Sequence, residues 1–198
     1  SEKHSFGLDF TTRGRNVSVI FGDGAGAVVL QATDTPNRGI LSTHLHSDGE
    51  SAEILAMYNP GTHANKWKPD LADFGDAAIG KMFVTQPMLD KEQFFPYMDG
   101  PAVFKTAVVK FPEVIMEALQ AHQLTPQDLK LLIPHQANLR ISQFVQQKLR
   151  LSDDQVFNNI QRYGNTTAAS IPIALCEAWQ EGRIEPGDLV CLAAFGSG

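Results

Sequence analysis

Leu131-Leu132-Ile133-Pro134-His135-Gln136-Ala137-Asn138 is the stretch on which the fold turns. Three successive large aliphatic residues read as a short strand buried on both faces. The polar run after them ends where a helical pattern begins, from Ala137 to Leu149, with Ile141, Phe144, Val145 and Leu149 expected to face inward. Upstream, Val103, Ala107, Val108, Phe111, Ile115, Ala118 and Leu119 recur at helical spacing as far as about His122. Pro112 inside that run should kink or split the helix. Thr125-Pro126-Gln127-Asp128 then caps a turn ahead of the strand. Downstream, a further helix is expected from Thr167 to Glu181, with Pro172 tolerable in its first turn. A strand from Leu189 to Ala194 follows and runs into a glycine turn, Gly196-Ser197-Gly198. Strands alternating with helices argue for an α/β domain.

Further from this centre the pattern loosens. Val17 to Phe21 and Ala27 to Leu30 read as two short strands around a glycine turn, and Ile40 to His46 as a third. Residues 33–39 are dense in turn formers and make the best domain boundary. Residues 50–98 are irregular, punctuated by Pro60, Gly61, Pro69 and Pro87, and read as a long excursion carrying Trp67, Phe74, Phe83, Phe94, Phe95 and Tyr97. No internal repeat is detectable.

Composition bounds the function classes. The 198 residues are 43% hydrophobic and 19% charged, an ordinary globular profile that can bury a real core. A net charge of -6 argues against broad nucleic-acid binding while leaving room for a local basic patch. No apolar run approaches the roughly 20 residues of a spanning helix. Two cysteines, Cys176 and Cys191, are expected as buried, inert thiols in a reducing cytoplasm. The first residues carry neither an initiator Met nor a leader, so the chain is expected to begin inside a longer protein.

Three polar clusters fall at the ends of apolar strands, where α/β folds place ligands. In the first, His135 stands near an expected helix N-terminus, whose dipole disfavours imidazolium; a neutral ring can donate a hydrogen bond to a developing oxyanion, or simply cap its own helix. In the second, Tyr163-Gly164-Asn165-Thr166-Thr167-Ala168-Ala169-Ser170, Asn165 offers a donor and an acceptor or serves as an N-cap. In the third, Phe195-Gly196-Ser197-Gly198, backbone N–H groups could face an oxyanion or form a plain turn. Gly22-Asp23-Gly24-Ala25-Gly26 is neither a dinucleotide fingerprint nor a P-loop, and reads as close packing between strands. His44-Leu45-His46 with Asp48 has a metal-like look, but one strand of polar residues is poor grounds for a metal, and none is expected.

In order, Phe21-Gly22-Asp23-Gly24-Ala25-Gly26-Ala27, His44-Leu45-His46-Ser47-Asp48-Gly49, Val103-Phe104-Lys105, Pro134-His135-Gln136-Ala137-Asn138-Leu139-Arg140-Ile141, the Tyr163–Ser170 cluster and Ala194-Phe195-Gly196-Ser197-Gly198 resemble β-ketoacyl-acyl-carrier-protein synthase III. The resemblance implies an α/β thiolase-like fold, with residues 1–33 finishing an N-terminal half and 34–198 forming most of a C-terminal half, a mixed sheet with helices on both faces, incomplete at both ends. It implies a condensing acyltransferase of fatty acid synthesis, a cytoplasmic homodimer without cofactor, taking acyl-CoA and malonyl-acyl-carrier protein as substrates. Family enzymes use a Cys–His–Asn triad. By that comparison His135 and Asn165 handle the malonyl extender, and Gly196, Ser197 and Gly198 supply backbone donors. Asn138 lies near the pantetheine arm, and Lys105 and Arg140 dock the acidic carrier protein.

The pattern departs from the family in two places. Neither Cys176 nor Cys191 matches the nucleophile, which the family carries upstream of the Gly22–Ala27 stretch, so the chain alone is expected to be inactive. The 50–98 excursion is longer than in typical members and leaves the length of the acyl primer open. A non-catalytic partner subunit, or a related polyketide or long-chain condensing enzyme, is the competing reading.

Overall fold

The computed structural model describes residues 1–36, 38–57 and 95–196. Most of the 50–98 excursion therefore lies outside the described residues, as do Ser197 and Gly198 of the glycine turn. At the foot of the excursion, β1 (Leu55–Ala56) pairs antiparallel with β2 (Tyr97–Met98).

The centre of the molecule is a parallel pair, β3 (Leu131–Pro134) and β4 (Val190–Ala193), in register Leu131 with Val190 through Pro134 with Ala193. All four β3 residues are buried, as a strand covered on both faces must be. Successive side chains on a strand point to opposite faces, and two separate cores result. Leu132 joins Ala107, Phe111, Ile115, Ile141, Val145 and Val156 on one face. Leu131 and Ile133 join Phe157, Ala174 and Ala178 on the other. Fully burying each of these large aliphatics contributes roughly 1.5–3 kcal/mol.

The first face is covered by two helices, α2 (Gly100–Ala121) and α3 (Leu139–Leu149). Asp99 caps α2 by accepting from the Ala102 N–H at 3.1 Å, and Asn138 caps α3 by accepting from the Arg140 N–H at 2.9 Å. Contrary to the sequence expectation, Pro112 does not split α2, which runs unbroken through it with the ring buried in the core. The second face is covered by α5 (Ser170–Gln180), entered through a 3-10 turn at Thr167–Ala169, with Pro172 in its first turn as expected. A short α4 (Ile160–Tyr163) leads into that turn. The Thr125–Asp128 box ahead of β3 is formed, with Asp128 accepting from the Thr125 N–H at 2.7 Å.

The strands expected in the first 46 residues are not formed. Arg15–Ser18 is a short helix, α1, and of the expected Val17–Phe21 strand only an isolated parallel bridge between Phe21 and Asn165 remains. Residues 27–30 and 40–46 belong to no ladder. Their apolar side chains stand in solvent, with Val29 96% and Leu45 91% exposed. A strand needs a neighbour to take its N–H and C=O groups, and neither segment has one among the described residues. Phe144, expected inside, is exposed on α3. Cys176, expected buried, is exposed on α5, whereas Cys191 is largely enclosed and burial pushes its thiol up to about 11. Among the described residues no helix is long and apolar enough to cross a membrane.

Candidate active site

His135 follows β3 directly. Its N–H donates to the Ala193 carbonyl at 2.7 Å, and its own carbonyl accepts from the Ala137 N–H at 2.9 Å, so the residue continues the strand pairing and then turns. Burial pushes the imidazole down from 6.5 to about 4, and at neutral pH the ring is uncharged. The expected neutral histidine is thus present, held uncharged by burial; α3 begins four residues later, at Leu139. Nδ1 of the ring lies 2.6 Å from Ser170 Oγ, at the start of α5.

The neighbouring Gln136 fixes the backbone of the turn. Only 3% exposed, its side chain donates to the Pro134 carbonyl at 2.7 Å and the Phe157 carbonyl at 3.3 Å. Its Oε1 accepts from the N–H groups of Asn159 at 2.9 Å and Ile160 at 3.1 Å. One amide thereby ties the end of β3 to the segment that leads into α4.

Asn165 is 7% exposed and held through its backbone on both sides. Its N–H donates to the Ile20 carbonyl and its carbonyl accepts from the Gly22 N–H, each at 2.9 Å. The side-chain oxygen accepts from the Thr167 N–H at 2.8 Å, a local turn rather than the helix cap considered from sequence, since Thr166 and Ala169 hold the cap positions. Thr167 adopts a positive φ of 42°, unusual for a β-branched residue, and its hydroxyl meets His4 Nε2 at 3.2 Å. Below the turn, Glu177 on α5 accepts from Asn159 Nδ2 and from Arg162, both at 2.7 Å, and from the Tyr163 hydroxyl. No hydrogen bond joins the His135 and Asn165 side chains; the 165–170 turn links them, with Asn165 at one end and Ser170 at the other.

The other expected site residues are distributed around this centre. Gly196 lies three residues beyond β4, at the same end of the parallel pair as His135. Asn138 uses its oxygen to cap α3. Lys105 and Arg140 are exposed on α2 and α3. His44 Nδ1 and His46 Nε2 sit on the two oxygens of Glu117, at 2.9 and 2.6 Å, and hold that carboxyl below its usual range. Asp48 turns away to cap its own 3-10 turn, and among the described residues no group of three or more ligating side chains is assembled. Sequence reasoning gave no role to Ser170, Gln136, Glu177 or His4, each of which has a partner 14 or more residues away.

Comparison with known proteins follows the same geography. Residues 119–198 match the family model described as 3-oxoacyl-[acyl-carrier-protein (ACP)] synthase III C terminal, and residues 1–49 match the companion model, 3-oxoacyl-[acyl-carrier-protein (ACP)] synthase III. The chain is 40% identical over 184 residues to β-ketoacyl-[acyl-carrier-protein] synthase III of Roseiflexus sp. (strain RS-1), an alignment covering 93% of this chain and 50% of that protein. It is 42% identical over 194 residues to the enzyme of the same name from Rhodospirillum centenum, covering 96% of this chain and 51% of the relative. The chain therefore spans about half the length of the curated relatives it matches. Among solved structures, 3-oxoacyl-[acyl-carrier-protein] synthase III from Aquifex aeolicus VF5 superposes with a TM-score of 0.77 at 35% identity, covering 99% of this chain and 52% of that one. The Pseudomonas aeruginosa PAO1 enzyme gives 0.76 at 34%, covering 98% and 51%. The fold is thus the mixed α/β, thiolase-like one over about half of such a chain.

Proposed function

Because the chain belongs to the β-ketoacyl-acyl-carrier-protein synthase III family, we propose that it carries the extender-handling half of a decarboxylative condensing site. The observation that carries this reading is a neutral, enclosed His135 at the end of β3, joined through the 165–170 turn to an Asn165 whose side-chain oxygen, not its amide donors, holds that turn. On this reading malonyl-acyl-carrier protein enters with its thioester oxygen toward His135 Nε2 and Asn165 Nδ2. The C–C bond to the carboxylate breaks, CO2 leaves, and the electron pair passes onto that oxygen as an enolate. Two fixed neutral donors in a water-poor pocket stabilise the charge as it develops. A charged imidazolium would instead protonate and quench the carbanion, so desolvation of His135 serves the chemistry directly. The enolate carbon then bonds to an acyl thioester carbonyl, and a cysteine thiolate leaves.

On this reading that cysteine is neither of the two in the sequence, which do not match the family's nucleophile: the Cys191 thiol is pushed up to about 11, and Cys176 is exposed on α5. The sulfur comes from residues outside these 198, with acyl-CoA as the primer donor and no cofactor required. Gly196, Ser197 and Gly198 supply backbone donors to the acyl-enzyme's oxyanion, Asn138 contacts the pantetheine arm, and Lys105 and Arg140 receive the acidic carrier protein. Residues 1–33 complete the N-terminal half-domain and 34–198 build the C-terminal one, in a cytoplasmic homodimer.

The test is malonyl decarboxylation by the complete gene product. His135→Ala and Asn165→Ala should each lower it roughly 10²–10³-fold, the cost of one oxyanion donor, while acyl transfer from acyl-CoA to cysteine continues. Decarboxylation within twofold of the unsubstituted protein in both variants would refute the assignment.

A further inference from the structure

We infer that Ser170 sets the tautomer of His135, holding the ring proton on Nε2, and is a positioning residue for the condensing site. Ser170 is only 2% exposed, so its hydroxyl must find its partners within the protein. A serine hydroxyl has one proton to give and two lone pairs to receive with. Its oxygen accepts the Gln136 N–H at 3.3 Å. Among the described residues the one acceptor to which Oγ is hydrogen-bonded is Nδ1 of His135, at 2.6 Å. The hydroxyl proton therefore points at Nδ1, which must carry a lone pair, and the single proton of the neutral ring sits on Nε2.

The contact comes from residues 35 positions apart, at the start of α5 and the end of β3. The Gln136 N–H that fills Ser170's lone pair belongs to the residue that anchors the turn through four further hydrogen bonds. Ring orientation and proton location are thus both fixed from the side of the imidazole facing the protein interior, leaving Nε2–H as the donor that faces away. This inference rests on the proposed function only for its catalytic consequence. The tautomer itself is a property of the chain without substrate.

The experiment reads the ring directly. Long-range proton–nitrogen correlation spectra of the full chain labelled with 15N-histidine, recorded at neutral pH, distinguish a protonated ring nitrogen from an unprotonated one. The His135→Gln chain identifies the His135 signals by their disappearance. The unsubstituted chain should show protonated Nε2 and unprotonated Nδ1. Ser170→Ala should introduce the Nδ1–H form, and Ser170→Thr, which keeps the hydroxyl, should retain the original pattern. An Nδ1–H ring in the unsubstituted chain overturns the inference without recourse to any variant, as does an unaltered single tautomer in Ser170→Ala. In the complete gene product, Ser170→Ala should lower malonyl decarboxylation roughly ten- to a hundredfold through loss of orientation, with recovery in Ser170→Thr. A displaced tautomer with an unchanged rate would support the role of Ser170 and sink the donor role of His135.

Discussion

Replacing Gly164 with alanine tests how tightly the Asn165 turn is fastened. Gly164 has φ 68° and ψ -162°, a region open essentially to glycine alone, where an L side chain costs of order 1–3 kcal/mol. A Cβ at this position would also lie 2.9 Å from the Ile20 carbonyl oxygen. That oxygen cannot retreat freely, because it accepts the Asn165 N–H at 2.9 Å; loosening the bond costs a further 0.5–1.5 kcal/mol or so. Gly164→Ala should therefore destabilise the fold by about 2–4 kcal/mol. At about 2 kcal/mol per molar urea, the unfolding midpoint falls by about 1–2 M. Gly182→Ala is the internal control for a positive φ in an open setting: its φ is also 68°, but an added Cβ meets nothing within 4 Å. Paired urea titrations followed by tryptophan fluorescence give both numbers. If Gly164→Ala costs no more than Gly182→Ala, the account of a turn clamped against residues 20–22 is wrong.

Gln136→Ala strips the side-chain partners from two carbonyls and two N–H groups in a buried turn, and should cost about 3–5 kcal/mol by urea unfolding; a loss under 1 kcal/mol would mean that water replaces the amide freely. His135 titrates near 6.5 when unfolded and at about 4 when folded, so the unfolded chain binds the extra proton between those values. Its contribution to stability is complete above pH 6.5 and is lost as pH falls toward 4, amounting to about 2 kcal/mol between pH 7.5 and 5. His135→Gln should flatten that part of the pH profile, and an identical profile in the variant would contradict the burial of the ring.

Local periodicity carried much of the fold. β3, β4, α3 and α5 each announce themselves within a dozen residues, and the structure places their ends within three residues of expectation. What failed depends on partners. Val28, Val29, Leu30 and Ile40 have apolar side chains suited to a strand, yet among the described residues nothing beside them takes up the ladder, and they are exposed. Phe144 was misplaced for a geometric reason. At about 100° per residue, the buried positions Ile141, Val145, Leu149 and Ser142 span one side of α3, and Phe144 falls just outside that arc. The residues around His135 were quoted in the motifs, but what Gln136 and Ser170 do depends on contacts 23 to 35 positions distant, which no window along the sequence contains.

The glycine-rich stretch repays the closest look, because its composition suggested packing and its geometry says what is packed. In extended chain, alternate residues face the same way. Gly22, Gly24 and Gly26 form such a row, and each would collide if it carried a Cβ. At Gly22 the obstacle is the Tyr163 carbonyl at 2.1 Å; at Gly24 it is Ile173 and Thr166 at 3.0 Å; at Gly26 it is Pro172 at 2.4 Å. The neighbours are therefore the 163–166 turn and the first turns of α5, not a second strand as the sequence suggested. With that row free of side chains, the backbone at Ile20 and Gly22 comes close enough to hydrogen-bond Asn165 from both sides. Residues 20–26 act as a rail against which the asparagine is set. A methyl group at Gly22 would lift the rail from the Tyr163 carbonyl and take both Asn165 backbone bonds with it, so a stretch with no chemistry of its own decides where one of the two proposed donors stands.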